Sequence, residues 1–171
     1  MLALRLPVLD DMSRVLAWRN SPEVATFMYR DDLIPPAEHE EWFPSTVVDR
    51  PNSLFRVAEW ASEPIGWMSL TRIDLRNRSC EWGGYLAPSA PRGEGLGRRM
   101  LSASLDLAFN ELQLNRVMVE VLVHNQPAIG LYDSMGFVRE GLLRERAWQL
   151  AGPRDALLYS MLAGEWMNHS R

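Results

Sequence analysis

The sequence predicts an α/β fold: a single domain over 1–171 with a mixed, mostly antiparallel central sheet flanked by helices. Three observations predict it. Residues 54–86 hold three apolar runs joined by short polar links with no room for a helix, which makes an antiparallel meander. Residues 95–162 then alternate helix-spaced and strand-like runs, a β-helix-β-helix-β order once the strand at 80–86 is counted. The length of 171 residues and the 47% hydrophobic content suit one well-buried core.

The elements follow in order. Leu2 to Leu6 alternates apolar and polar residues, as a half-buried strand does. Asp10 and Asp11 are capping candidates for a helix in which Met12, Val15, Leu16 and Trp18 recur at helical spacing up to Asn20. Pro22 opens a short second helix to Met28, and 31–36 is a loop. A third helix is expected from Ala37 to Val48, broken by Arg50-Pro51-Asn52-Ser53. Strands at 54–60, 65–74 and 80–86 form the meander. A glycine-rich turn opens a long helix over about 95–111, with Leu101, Leu105, Ala108 and Leu112 on one face. Val117 to Val123 is apolar except for Glu120, as in a strand buried on both faces. Asn125-Gln126-Pro127 starts a helix that Gly136 ends, and strands at 137–146 and 155–162 close the chain. Exposed tryptophans near the last strand, Trp148 and Trp166, are candidates for a homodimer contact or for core.

Composition excludes several functions. A net charge of −4 argues against a nucleic-acid partner. No apolar run is long enough to span a bilayer and no signal-peptide pattern opens the chain, so a cytoplasmic protein is expected. All 18 basic residues are arginine, which removes Schiff-base and P-loop lysine chemistry. The histidines are too widely spaced for a metal cluster, so no metal is expected. Cys80, the single cysteine, reads as structural.

The chemistry centres on Glu81-Trp82-Gly83-Gly84-Tyr85-Leu86 and the loop Arg92-Gly93-Glu94-Gly95-Leu96-Gly97-Arg98. A strand ends at Pro88, and glycines lead into a helix N-terminus. Unpaired amides at the positive end of a helix dipole suit a phosphate. The dinucleotide spacing G-x-G-x-x-G is absent, and the preceding strand belongs to the meander. Taken alone, the loop is either a phosphate cradle or an ordinary turn before a solvated helix.

Asn125-Gln126-Pro127-Ala128-Ile129-Gly130-Leu131-Tyr132-Asp133-Ser134-Met135-Gly136-Phe137 lies about 30 residues later. This segment and the R-x-x-G-x-G loop together resemble the GNAT family of acyl-coenzyme A dependent N-acetyltransferases, and the element order agrees along nearly the whole chain. The resemblance implies a GNAT fold with splayed strands, 80–86 diverging from 117–123. It implies acetyl-CoA as co-substrate, with its pyrophosphate on the amides from Gly93 through Glu94, Gly95, Leu96 and Gly97 to Arg98, beside Arg92. The pantetheine arm would bond the backbone at Tyr85 and Leu86 and meet Asn125. Tyr132 would protonate the leaving thiolate, a task a phenol performs without carrying charge at neutral pH. A neutral amine would attack the thioester directly. Glu81 is the base candidate and Ser69 a group that orients the amine or a water. Each has a plainer reading: a core tyrosine, a surface strand glutamate, a small strand residue.

The acceptor in this family is shaped by the N-terminal helices. Trp18-Arg19-Asn20-Ser21-Pro22 through Met28-Tyr29 is similar to a branch that acetylates the 4-amino group of a nucleotide-linked dideoxy amino sugar, as in a pseudaminic acid-type pathway. That resemblance implies a small-molecule amine with Arg19 on a phosphate, Met28, Tyr29 and Trp42 against base or sugar, and His39 on a phosphate or as base. These residues equally suit core and helix surface. Related enzymes acetylate ribosomal-protein N-termini or polyamines. Asp31-Asp32 and Glu38, Glu40 and Glu41 leave a polyamine open. A non-catalytic acyl-CoA sensor is the alternative of another class.

Overall fold

The computed structural model describes residues 2–169. Its strands are β1 (Leu2–Arg5), β2 (Ser53–Trp60), β3 (Glu63–Asp74), β4 (Ser79–Leu86), β5 (Arg116–Leu122), β6 (Val138–Gln149) and β7 (Gly152–Leu162). Its helices are α1 (Met12–Arg19), α2 (Pro22–Ala25), α3 (Pro36–Trp42), α4 (Leu96–Asp106), α5 (Gln126–Ser134) and α6 (Ala163–His169). The strands form one seven-stranded sheet in the order β1-β2-β3-β4-β5-β7-β6. Only the β4–β5 pairing is parallel, because α4 carries the chain back across the sheet between them. Among the described residues no helix is long and apolar enough to cross a membrane.

That parallel pairing is brief. Ser79, Cys80 and Glu81 face Arg116, Val117 and Met118, and the ladder stops there. From Trp82 to Leu86, β4 stays paired with β3 alone. Its backbone groups on the β5 side have no strand partner, so a polar gap opens in the middle of the sheet.

The pleat assigns the two faces. Leu70, Cys80 and Trp82 are buried on the side of α4 and α5, where Met100, Leu101, Leu105 and Tyr132 close the core. Phe55, Trp67, Ser69, Gly83 and Tyr85 lie on the other side, under α1 and α3. There Trp67 packs within an aromatic cluster with Trp42, Phe43 and Phe55, at ring separations of 5.7 to 6.1 Å.

Several elements depart from expectation. The third helix stops at Trp42 and tightens into a 3-10 turn over Phe43–Thr46, because Pro44 has no N–H to continue the ladder. The second helix ends at Ala25, and Phe27 and Met28 close 3-10 bonds to Val24 and Ala25. The long helix runs as α-helix to Asp106 and widens into a π-type turn at Leu107–Glu111. The α6 helix was not expected. It buries Trp166, 8% exposed, whose Nε1 donates to Asp106 at 3.0 Å, so this tryptophan is core and not a dimer contact. Trp148 is 75% exposed.

Asp11 does not cap α1; it is turned inward. Its carboxylate, 1% exposed, accepts from Arg5 at 2.6 and 2.9 Å and from the Val8 amide at 3.0 Å. Burial works against its charge, but the Arg5 bonds and the Val8 amide outweigh it and hold the carboxyl below its usual range. Asp11→Ala removes the ion pairs to Arg5 and Arg14, leaves Arg5 with Glu59 and the Leu6 carbonyl, and is expected to cost about 3 kcal/mol of unfolding free energy. The folded-state pKa is depressed, so this contribution is present above the unfolded-state value and lost as pH falls through the folded one. Urea titrations should show a gap between wild type and variant at pH 7 that narrows as pH falls below the ordinary aspartate range.

Candidate functional site

Two cavities flank the gap in the sheet. The first, of about 440 Å³, lies beneath α1 and α3 and is lined by Val15, Arg19, Met28, Ile34, His39, Trp42, Phe55, Trp67, Ser69 and Tyr85, among others. The second, of about 530 Å³, lies between β4, α4 and α5 and is lined by Trp82, Leu86, Arg92, Gly97, Met100, Asn125, Leu131 and Tyr132, among others. Met28, Gly84 and Tyr85 line both. The two spaces therefore meet at the splay, where a group held in one can reach a group held in the other.

Glycine is required at that meeting point. A Cβ on Gly84 would stand 2.9 Å from the Trp67 carbonyl oxygen and 2.8 Å from Cζ2 of Trp82. A side chain there would displace backbone or the buried indole.

The second cavity leads to the glycine loop. Gly95 is the N-cap of α4 at φ +67°, and Gly93 has φ +81°. Neither would bring a Cβ within 4 Å of another heavy atom, so the loop faces open space. With the first amides of α4 this makes a cradle for an anion. Arg92 borders the second cavity and donates to the Ala87 carbonyl at 3.3 Å. Arg98 donates to Ser134 Oγ at 2.7 Å, and Glu94 and Gly95 border a shallow depression beside it. Leu96 is core.

Asn125 caps α5, its Oδ1 accepting from the Ala128 amide at 3.2 Å. This fixes the helix that carries Tyr132. The Tyr132 ring sits among Trp82, Phe137 and Tyr159 at 6.2, 5.4 and 5.9 Å. Burial pushes its phenol well above the ordinary tyrosine range, so it stays protonated at working pH. The nearby Tyr159 hydroxyl is already committed to Asp133 at 3.0 Å.

The expected residues divide between the two spaces. Arg19, Met28, His39, Trp42 and Ser69 line the first cavity; Tyr85 lines both. Of the expected catalytic and acceptor residues, Glu81 and Tyr29 lie outside both linings. Glu81 accepts from Arg72 at 2.7 Å, and Tyr29 donates to Glu120 across the splay, with Arg146 over its ring. His39 is 3% exposed, its Nε2 is 2.9 Å from the Met12 carbonyl, and burial lowers its pKa, so it is neutral at pH 7. Burial pushes the Cys80 thiol up to about 12, so no thiolate nucleophile exists there at neutral pH. Among the described residues no group of three or more His, Cys, Asp or Glu could hold a metal ion.

Sequence reasoning missed how the segment after α2 is held. Gln149 donates to the carbonyls of Thr26 and Met28 at 3.1 and 2.8 Å, and His124 Nε2 lies 2.9 Å from the Thr26 carbonyl. The Leu150 amide donates to Asp31 at 2.9 Å. Met28 is thus positioned from the far side of the sheet. The one visible signal was Glu120, a charge in an apolar strand.

The profile of a family described as an acetyltransferase (GNAT) domain matches residues 1–138. The chain is 27% identical over 169 residues to the spermidine N(1)-acetyltransferase of Vibrio cholerae, covering 99% of this chain and 97% of that one. It is 25% identical over 128 residues to the acetyltransferase PseH of Campylobacter jejuni, covering 75% and 77%. The crystal structure of the Vibrio cholerae spermidine N-acetyltransferase in complex with CoA and spermine superposes with a TM-score of 0.89 at 27% identity, covering 98% of both chains.

Proposed function

Because the chain belongs to the GNAT acetyltransferase family and is an acetyl-CoA-dependent N-acetyltransferase, we propose that its acceptor is a small aliphatic polyamine of the spermidine class. The observation that carries this reading is the near full-length likeness, in sequence and in fold, to an enzyme whose structure holds CoA and spermine. An acceptor cavity with mostly apolar walls and Glu38 at its mouth suits an extended methylene chain with charged ends.

In this reading the second cavity takes acetyl-CoA. The pyrophosphate rests on the amides from Gly93 to Arg98, and the pantetheine arm bonds the unpaired backbone of β4 near Tyr85 and Leu86. The amine enters through the first cavity. Its lone pair attacks the thioester carbonyl at the junction by Gly84, the C–S bond breaks, and Tyr132 gives its proton to the departing sulfur. The proton lost by the new amide nitrogen returns to the phenol through solvent. The products are an N-acetylamine and free CoA, with no acyl-enzyme.

Ser69 and Tyr85 line the first cavity, and their hydroxyls bond to no group among the described residues. They favour, as a second reading, an oxygen-rich acceptor such as the 4-amino group of a nucleotide-linked amino sugar, which the PseH likeness also supports. Thiol release from acetyl-CoA should be measured against spermidine, spermine, amino-sugar nucleotides and peptides with an N-terminal Ser or Ala. Release with the polyamines is expected. Release with the nucleotide sugars alone would move the acceptor to the second reading, and release with none would leave an acyl-CoA sensor.

A further inference from the structure

Among the described residues, three line both cavities: Gly84 and Tyr85 on β4, and Met28 on the segment that follows α2. A group at the junction lies among them. The β4 wall cannot be built up at Gly84, because a Cβ there would stand 2.9 Å from the Trp67 carbonyl oxygen and 2.8 Å from Cζ2 of Trp82. The room left at the junction is therefore set by the Tyr85 side chain on β4 and by Met28 from the segment outside the sheet.

That segment is pinned at successive residues. The Thr26 carbonyl accepts from Gln149 at 3.1 Å and lies 2.9 Å from His124 Nε2. The Phe27 ring stacks on His124, with centroids 5.8 Å apart. The Met28 amide donates to the Ala25 carbonyl at 2.9 Å, and its carbonyl accepts from Gln149 at 2.8 Å. Tyr29 donates to Glu120 and carries Arg146 over its ring. Gln149 is 4% exposed, and its Oε1 accepts from Arg154 at 3.0 Å. These partners lie on β5, just after it, and on β6 and β7, on the other side of the splay from β4. The backbone of Met28 cannot retreat from the junction without breaking buried hydrogen bonds, each costly to leave unmade.

Resting on the proposed placement of acetyl-CoA in the second cavity, we propose that Met28 sets the length of the acyl group: its side chain closes the junction to acyl chains longer than acetyl, and Gln149 is the positioning residue that holds it there.

The three substituents of the thioester carbon argue for this. The sulfur continues into the second cavity with the pantetheine arm. The oxygen, an acceptor, is suited to the unpaired N–H groups of β4. The acyl chain is then turned away from β4, towards Met28. A methyl group needs little room there. Each further methylene has to displace the Met28 side chain or the pinned segment behind it. A methionine is flexible, so the exclusion rests on its volume against a fixed backbone, not on one rotamer. A pocket that senses a single methylene discriminates by about 10–200-fold. Butyryl, two methylenes longer than acetyl, gives the clearer contrast.

The first test needs no amine. CoA, acetyl-CoA and butyryl-CoA are titrated calorimetrically into the unaltered protein, and butyryl-CoA should bind about tenfold more weakly than acetyl-CoA. Met28→Ala should bring the two esters within about threefold of each other. Met28→Leu keeps an apolar side chain of similar volume and should keep the wild-type ratio. Met28 is only half-buried, and unchanged binding of unacylated CoA shows that each variant is folded.

The second test is kinetic, with whichever amine the thiol-release panel identifies. The ratio of kcat/KM for acetyl-CoA over butyryl-CoA should fall in Met28→Ala as the binding ratio does. Gln149→Met removes the bonds to the strap and should lower the same ratio while leaving the affinity for unacylated CoA unchanged. A merely structural role would weaken CoA and both esters alike. Equal use of both esters by the unaltered protein, or one ratio shared by wild type and Met28→Ala, overturns the proposal while the transferase reading stands. If both esters bind and neither is transferred, the transferase reading fails and the binding ratio still decides the role of Met28. If CoA itself does not bind, the placement of the coenzyme and this proposal fall together.

Discussion

Tyr132→Phe should lower kcat at least tenfold, about 1.4 kcal/mol of barrier, and leave coenzyme binding nearly unchanged. The variant isolates the oxygen. The Phe ring keeps the packing against Trp82, Phe137 and Tyr159. The hydroxyl bonds to no group among the described residues, so its removal leaves no orphaned partner, and stability should hold to within about 0.5 kcal/mol. In the proposed reaction, what is lost is the proton that meets the departing thiolate. Tyr159 cannot substitute, because its hydroxyl is held by Asp133. Because burial raises the Tyr132 phenol, its protonated form survives as pH rises, and wild-type kcat should not fall on the alkaline side below about pH 10. Stopped-flow thiol release with saturating amine measures kcat, and equilibrium binding of CoA measures the rest. An unchanged kcat removes Tyr132 from the acid role.

The splay shows what a sequence does and does not carry. Gly83-Gly84, Pro88, the glycine loop and Asn125-Gln126-Pro127 are punctuation marks whose meaning is local. They fixed where β4 stops and where α4 and α5 begin to within a residue or two. The end of β4–β5 pairing after Glu81 is a long-range event with no local signature, and only the family resemblance anticipated it. Pro44 was a legible helix breaker whose force was underrated. The α6 helix follows β7 with no separating turn and carries a glycine at Gly164, so nothing announced a helix there.

The site divides in the same way. Backbone-defined parts were legible because glycines mark them. Side-chain partnerships across the sheet were not. Nothing local in the sequence pairs Tyr29 with Glu120 or Glu81 with Arg72. Arg19 was expected to meet a phosphate. The structure places it in the first cavity with Nη1 buried and unpartnered, an arrangement visible only in three dimensions.

Gly95→Val should produce the complementary effect on the coenzyme side: a KM for acetyl-CoA raised at least tenfold, with kcat at saturation within about twofold of wild type. Two physical terms act at this one position. At φ +67° a β-branched residue is strained, at a cost of roughly 1–2 kcal/mol that either weakens the loop or twists it out of the left-handed region. The new methyl groups would also occupy the open space the loop faces, beside the first amides of α4. Gly95→Ala supplies the strain with a single methyl group and should fall between the two. Loss of coenzyme affinity in Gly95→Val beyond that of Gly95→Ala measures the steric share. If both variants bind CoA as wild type does, the pyrophosphate does not rest on this loop, and the donor half of the site must be sought elsewhere along the second cavity. Together with Tyr132→Phe the pair separates holding the thioester from breaking it. In the proposed reaction these tasks fall on different elements, the glycine loop at the start of α4 and the phenol near the end of α5, with the unpaired stretch of β4 beside both in the second cavity.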